Sequence, residues 1–186
     1  MKELLCATGN ADKFAIGEQA FLKYGCSLKQ VSVEIDEIQG EDSEVILLDK
    51  VAKAHSLVQK PVLVTDDTWV IPALNGFPGA YMKSMNHWLT ANDFLKLMED
   101  KTDRTIYLDQ YLAYTDGTET KTFYKRIKGT ISLEARGVTG PPVVHIVQLD
   151  GDNELTISEV FDRGIEDHVY EDDAWSQAAK WFAEKS

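Results

Sequence analysis

Apolar and polar positions divide the chain into short runs of two kinds. Lys2–Ala7 is an apolar run that stops sharply at Thr8-Gly9-Asn10, which predicts a buried strand and then a turn. From Asn10, a residue suited to cap a helix, Phe14, Ala20, Phe21 and Tyr24 recur at helical spacing until Gly25 ends the pattern. Ser27–Val33 alternates and predicts a second strand; Asp36–Glu41 predicts an acidic turn. Ser43, with acids around it, opens a second helix with Val45, Leu48, Ala52 and Leu57 along one side. Pro61–Val64 predicts a buried strand ending on Thr65-Asp66-Asp67-Thr68. Leu74–Gly79, with Gly76, Pro78 and Gly79, predicts a turn into Tyr81-Met82-Lys83, and Thr90 caps a helix running to about Glu99.

Two longer runs follow. Thr105–Thr115 and Thr120–Leu133 predict strands joined at Asp116-Gly117, a hairpin signal. Gly137–Pro142 predicts a loop, Val143–Leu149 another strand stopped by Asp150-Gly151, and Ala174–Ala183 a closing amphipathic helix. No repeat or low-complexity linker interrupts the chain. Strands alternating with helices, followed by a hairpin, predict an α/β protein with a mixed sheet.

Composition narrows the class. A chain of 186 residues has the length of one domain, 1–186, and hides roughly 70% of its unfolded surface. With 44% hydrophobic and 27% charged residues it is an ordinary globular chain, which excludes bulk disorder. No apolar run approaches the ~20 residues of a membrane span, and MKELLCATGN has no long apolar core of a signal peptide. Cys6 and Cys26 are too few for a disulfide framework. The expectation is a cytoplasmic protein with no membrane partner.

The net charge of −12 disfavours duplex nucleic acid, which needs a basic face. The acid is uneven. Residues from Pro141 onward hold 11 acids and 3 bases, whereas the first 140 hold 20 and 16. A phosphate site is therefore compatible with the first part and not with the last.

Four constellations suit chemistry, and each also has a plain structural reading. Thr8-Gly9-Asn10-Ala11-Asp12-Lys13 ends a strand, turns and starts a helix, where backbone N–H groups and a lysine attract an anion. The same residues also make an ordinary turn with a surface lysine, and no P-loop pattern is present. Asp66 and Asp67 fall at the carboxyl end of a buried strand, where α/β sheets bind ligands. Adjacent carboxylates suit Mg²⁺ or a general base, or else a solvated turn. The acids of Asp36–Glu41 offer a further metal ligand or a charged loop. Asn75–Lys83 is a glycine- and proline-fixed loop followed by Lys83, with Tyr81 in the core on the structural reading. Lys50 and Lys53 read alternatively as solvated helix lysines. His55, His87, His145 and His168 lack metal-site spacing, no G-x-S-x-G is present, and Trp69, Trp88, Trp175 and Trp181 read as packing residues. The acidic runs Glu166-Asp167 and Glu171-Asp172-Asp173 read as a helix N-terminal region.

Taken in order, these pieces resemble one family. Thr-Gly-Asn-x-x-Lys after a strand, Glu-x-Gln-Gly, a helix lysine, Val-Leu-Val-x-Asp-Asp-Thr and Leu-Asn-Gly-x-Pro-Gly-x-Tyr-x-Lys are similar to the inosine triphosphate pyrophosphatase, or Ham1-like, family. The resemblance covers Lys2 to Lys83 and continues weakly through Lys128-Gly129-Thr130-Ile131 and Ala135-Arg136-Gly137. It implies a two-lobed fold with a long curved mixed sheet flanked by helices and an active-site groove between the lobes. It implies Mg²⁺-dependent hydrolysis of a nucleoside triphosphate, such as a deaminated purine nucleotide, to the monophosphate and pyrophosphate. A homodimer is implied as well. On the resemblance, Thr8, Gly9, Asn10, Lys13, Lys50, Thr68 and Lys83 bind substrate. Glu37 and Asp67 hold the metal, and Asp66, Asp67 and Lys13 serve catalysis, with Asp67 activating water.

The second half departs from that pattern. Family members carry Phe-Gly-Tyr/Trp-Asp-Pro where this chain has Val138–Val144, and Ser-His-Arg before the last helix, where it has Asp167–Asp173. His168 is at most a displaced remnant, with no arginine after it. Losing donors to a base carbonyl lowers discrimination between bases. Three readings follow: an active pyrophosphatase with altered base preference, a weakly catalytic nucleotide-binding homologue, or an interaction module using the acidic C-terminal segment.

Overall fold

The computed structural model describes residues 1–164 and 172–185. In chain order they form β1 (Lys2–Ala7), α1 (Ala11–Lys23), β2 (Cys26–Val31), α2 (Ser43–Val58), β3 (Val62–Val70), β4 (Pro78–Gly79), α3 (Met82–Trp88) and α4 (Ala91–Leu97). There follow β5 (Thr105–Thr115), β6 (Thr120–Ile131), β7 (Val147–Leu149), α5 (Ile157–Arg163) and α6 (Ala174–Glu184), with short 3-10 turns at Pro72–Leu74 and Pro142–His145. The strands hydrogen-bond in the order β2-β1-β3-β5-β6-β7, with β4 on β3. β1 is parallel to β2 and β3, whereas β3–β4 and β6–β7 are antiparallel, so the sheet is mixed as the sequence predicts.

The chain forms two compact units. One contains 1–67, 110–125 and the C-terminal helix; the other contains 68–109 and the stretch from 126 through α5. In the first unit, strand alternation sorts apolar residues onto two faces. Leu4 and Cys6 of β1 and Leu63 of β3 pack with Ala20 and Phe21 of α1 and with Trp175, Ala178 and Ala179 of α6. Ala7, Val62 and Val64 face the other way, against Leu47, Val51 and Ala54 of α2. Each face is covered by helix, so β1 and β3 read as continuous apolar runs. In the second unit Arg104 ties a loop to the end of β6, donating from Nε to the Ile131 carbonyl (2.7 Å) and from Nη2 to that of Ser132 (2.6 Å).

Capping agrees with the sequence at several ends. The Asn10 side chain accepts from the Lys13 N–H, and Thr90 with Asp93 forms a full capping box. Charge-assisted bonds from Thr90 and Lys96 hold the Asp93 carboxyl at about 2. Gly25, at φ +70°, ends α1 in a conformation glycine adopts without strain.

Five expectations are corrected. α2 is capped by Asp42 and buries Ile46, Leu47, Val51 and Ala54; Val45, Leu48, Ala52 and Leu57 lie on its exposed side. Four consecutive apolar residues, 45–48, admit two stripes at helical spacing, and only the sheet decides which is buried. β3 does not end on Thr65-Asp66-Asp67-Thr68 but runs through them to Val70, because Trp69 and Val70 pair with Gly79 and Pro78 of β4. Val143–Leu149 is not one strand: Pro142 starts a 3-10 turn, the Val143 N–H donates to Asn86 Oδ1 (3.1 Å), and only Val147–Leu149 pairs with β6. α3 and α5 were not expected; both are seven residues long, below the window in which periodicity is legible. Trp88 is 68% exposed and packs into no core, unlike Trp69, Trp175 and Trp181.

One close approach fixes α1 against α6. A Cβ on Gly17 would fall 2.4 Å from Cζ3 of the buried Trp175 indole. Gly17→Ala is therefore expected to destabilise the protein by about 1–3 kcal/mol through overpacking, despite alanine's better helix propensity. Urea denaturation would check this; a stabilised Gly17→Ala would mean that the indole moves aside freely.

Candidate active site

The parallel register of β1 and β3 brings two chain turns together. Leu5, Cys6 and Ala7 lie opposite Val62, Leu63 and Val64, so the turn that follows Ala7 starts at the same end of the sheet as Thr65 and the aspartates that follow Val64. This is the carboxyl end of the parallel strands, the usual ligand edge of such sheets. The turn is stiffened locally: the Asn10 N–H donates to Thr8 Oγ1 (3.2 Å), and Gln30 Nε2 donates to the Thr8 carbonyl (2.9 Å). A Cβ on Gly9 would meet nothing within 4 Å, so the space above this turn is open.

Strand alternation then separates the two aspartates. Asp66 points to the α2 face and Asp67 to the α1 face, yet the two stay close enough to repel each other. Each meets a lysine. Lys13, one turn into α1, reaches Asp67 Oδ2 at 2.9 Å. Lys50, two turns into α2, lies 2.7 Å from Glu37 Oε1 and 3.8 Å from Asp66 Oδ1, and donates to the Thr65 carbonyl at 3.0 Å. Glu37 comes from the acidic loop before α2, and Lys53 holds that loop by donating to the Asp36 carbonyl at 2.6 Å. Thr8, Gly9, Asn10, Lys13, Glu37, Lys50, Asp66 and Asp67 thus all belong to the first unit, at one edge of its sheet. Thr68 and Lys83 belong to the second unit, Thr68 buried in β3 and Lys83 exposed in the first turn of α3.

Electrostatics follow from half-burial. Desolvation raises the Asp66 carboxyl above its ordinary value, opposed by Lys50 and Lys13 and reinforced by Asp67 and Glu37. Burial also pushes the Cys6 thiol up to about 12, so it is inert as a nucleophile. The Thr65 hydroxyl is buried without a hydrogen-bond partner among the described residues.

The oxygen-only donors of Glu37 and Asp67 fit Mg²⁺, which binds through one or two carboxylates plus phosphate oxygens. They do not form a ready-made cage: among the described residues no three metal-ligating side chains converge on a cation position. Both carboxylates are ion-paired to lysines. A polyphosphate that drew Lys13 and Lys50 to itself would release them for the metal.

Other sequence-predicted features have structural partners. Asp173 caps α6, accepting from the Ser176 N–H at 2.7 Å, and Asp172 pairs with Lys125 at 2.7 Å. Glu166, Asp167, His168 and Glu171 lie outside the described residues. Tyr81 is 39% exposed rather than in the core.

Two side-chain pairs escaped the sequence reading. In the second unit Arg126 grips the buried Asp109 through Nε–Oδ1 (2.7 Å) and Nη2–Oδ2 (2.6 Å) and stacks on Tyr107. In the first unit the Tyr111 and Tyr124 rings lie 4.9 Å apart. Both follow from hairpin register. With Asp116–Glu119 as the turn, Thr115 faces Thr120, so Tyr111 falls opposite Tyr124 and Asp109 opposite Arg126.

Comparison with known proteins bears on this edge and on the fold. Residues 4–162 match the model of the Ham1 family. The chain belongs to the Ham1 family. A dITP/XTP pyrophosphatase of Saccharolobus solfataricus is 33% identical over 72% of this chain and 69% of its own. One from Methanosarcina acetivorans is 29% identical over the whole of both chains. Among solved structures, a HAM1 protein of Coxiella burnetii superposes with a TM-score of 0.80 at 20% identity over all of both chains, and the Staphylococcus aureus Ham1 protein with 0.76 at 19%. These two establish the Ham1 fold.

The raised Asp66 makes a signed prediction. Its ionised form is penalised only in the folded state, so stability falls as pH rises from about 3.8 through the raised value. Asp66→Asn should therefore raise the denaturation midpoint at pH 7–8, and the gain should vanish near pH 3.5. A gain equal at both pH values would show that charge burial is not its source.

Proposed function

We propose that this Ham1 protein is a nucleoside triphosphate pyrophosphatase. It hydrolyses a purine nucleoside triphosphate between the α and β phosphates, with Mg²⁺, in nucleotide-pool house-cleaning. The observation that carries the reading is the paired arrangement Lys13–Asp67 and Lys50–Glu37/Asp66 at the open Thr8–Asn10 turn. Its two lysines match the demand of a polyphosphate, and its carboxylates match a hard cation and an attacking water. The pyrophosphatase names of the relatives support the same chemistry.

In this reading the N–H groups at the start of α1 and the Lys13 ammonium take phosphate oxygens. Lys50 takes a second phosphate and gives up Glu37. Asp67 and Glu37 would hold Mg²⁺, which would neutralise phosphate charge. Asp67, freed from Lys13, accepts a proton from a water attacking the α phosphorus. The bond from that phosphorus to the bridging oxygen breaks, and pyrophosphate leaves with its charge stabilised by the lysines. A homodimer and a cytoplasmic setting belong to the same reading.

A weakly catalytic nucleotide-binding homologue is the second reading, favoured by the absence of aromatic residues in Val138–Val144. An interaction surface on the acidic C-terminal segment is a weaker one, since Asp172 is ion-paired and Asp173 is a helix cap.

Pyrophosphate release from ITP, XTP, their deoxy forms and the common nucleotides, with and without Mg²⁺, tests the proposal. Metal-dependent release is expected, reduced roughly 10²-fold or more in Asp67→Asn. A folded protein that releases none but is thermally stabilised by triphosphates would be the binding homologue. Lys13→Ala should weaken triphosphate binding more than monophosphate binding; equal losses would remove Lys13 from the phosphate chain.

A further inference from the structure

The Thr8–Asn10 turn is tied to a residue outside the sequence motifs of the site. Gln30 lies in the edge strand β2, beside Cys6 of β1 in their parallel register. Cys26 and Leu28 precede it on the same side of β2 and are buried in the core that α1 and α6 cover. An apolar residue at the third position of that alternation would extend the core. Gln30 is exposed instead, and its Nε2 reaches past the end of β1 to donate to the Thr8 carbonyl at 2.9 Å. Thr8 also accepts the Asn10 N–H on Oγ1 (3.2 Å), and Asn10 Oδ1 accepts the Lys13 N–H (3.0 Å). Gln30, Thr8, Asn10 and Lys13 thus form one hydrogen-bonded series, from the edge strand to the lysine that meets Asp67.

The effect falls on one peptide unit. The Thr8 carbonyl and the Gly9 N–H belong to the same planar trans peptide and point in opposite directions. Gly9 has no side chain to restrict that peptide, and a Cβ there would meet nothing within 4 Å, so local sterics do not choose between its two orientations. Gln30 makes the choice: gripping the carbonyl aims the Gly9 N–H away from Gln30. We infer that Gln30 is a positioning residue for the phosphate chain, holding the Thr8–Gly9 peptide with its N–H presented to a phosphate oxygen. The inference rests on the proposed function for the phosphate at this turn. A flipped peptide would present the carbonyl, an acceptor, to the anion, and affinity falls with the fraction of molecules that stays competent. An exposed neutral hydrogen bond contributes little to global stability, so the role of Gln30 is to select a local conformation rather than to hold the fold.

Inorganic tripolyphosphate, titrated with and without Mg²⁺, reads the turn without turnover. In isotope-labelled wild type it should bind and shift the Gly9 backbone amide resonance. Gln30→Met keeps the side-chain length and removes the donor. It should weaken tripolyphosphate binding roughly threefold to tenfold, the worth of about one hydrogen bond, and diminish the Gly9 shift. Its urea denaturation midpoint should stay close to that of the wild type. Gln30→Lys, which restores a donor of similar reach, should recover the Gly9 response. Unchanged binding in Gln30→Met, or weaker binding with an unchanged Gly9 response, would overturn the assignment and leave the pyrophosphatase reading intact. Failure of Gln30→Lys to recover the Gly9 response would overturn it as well. If tripolyphosphate binds through Gly9 in a Gln30-dependent way but no triphosphate is hydrolysed, the pyrophosphatase reading fails and Gln30 keeps its role. A wild type that binds tripolyphosphate under neither condition overturns both.

Discussion

The site depends on balancing negative charge at the edge of a buried strand. Asp66 and Asp67 sit within β3, their side chains 24% and 21% exposed, and Glu37 faces the same edge from a loop. Three carboxylates in so little water repel one another. The two lysines reach them from helices on opposite faces of the sheet, and the Asp66 carboxyl stays raised even so. Such an arrangement costs stability in the free protein. A cation and a polyphosphate arriving together would supply both missing partners, the metal for the acids and the phosphates for the lysines. Stability and binding are thus set against each other at the same side chains, a common condition of active sites.

What holds the lysines in place is ordinary packing. α1 is pressed against α6 where Gly17 meets Trp175, and α2 is seated on β1 and β3 through Leu47, Val51 and Ala54. α2 could rotate by one stripe without violating its own sequence pattern, whereas Gly17 commits α1 to the face that meets Trp175. Rotation would carry Lys13 or Lys50 off the sheet edge, so the chemistry inherits its geometry from apolar contacts elsewhere in the first unit.

The β5–β6 hairpin adds a second layer of organisation. One turn, Asp116–Glu119, sets the register of two strands 11 and 12 residues long. Asp116 accepts N–H bonds from Thr118 (3.0 Å) and Glu119 (2.9 Å), which hold its carboxyl well below the usual range. Its partner Lys185 also stacks on Tyr114 and Trp181, so the end of the last helix locks the same turn. Slipping the register by one residue would send Tyr111 and Tyr124 to opposite faces.

Much of this was present in the order of residues. The strand-turn-helix at Lys2–Lys13, the hairpin boundaries and the caps at Asn10 and Thr90 rest on local interactions, and short-range chemistry is legible without a fold. The site residues of the first unit were legible because they cluster in a few short motifs. The Asp116-Gly117 signal even contained the Tyr111–Tyr124 and Asp109–Arg126 pairings, which follow by counting outward from the turn. The continuation of β3 through its two aspartates, the buried stripe of α2 and the 3-10 turn at Pro142 were decided only by the tertiary structure. Each depends on a neighbour distant in the chain: β4 for the end of β3, the β1–β3 surface for α2, and Asn86 for Val143. The sequence alone singled out the charged groups that gather at this edge. The division of Asp66 and Asp67 between two lysines came from the sheet, because a strand's alternation acquires two chemically different sides only when different helices cover them.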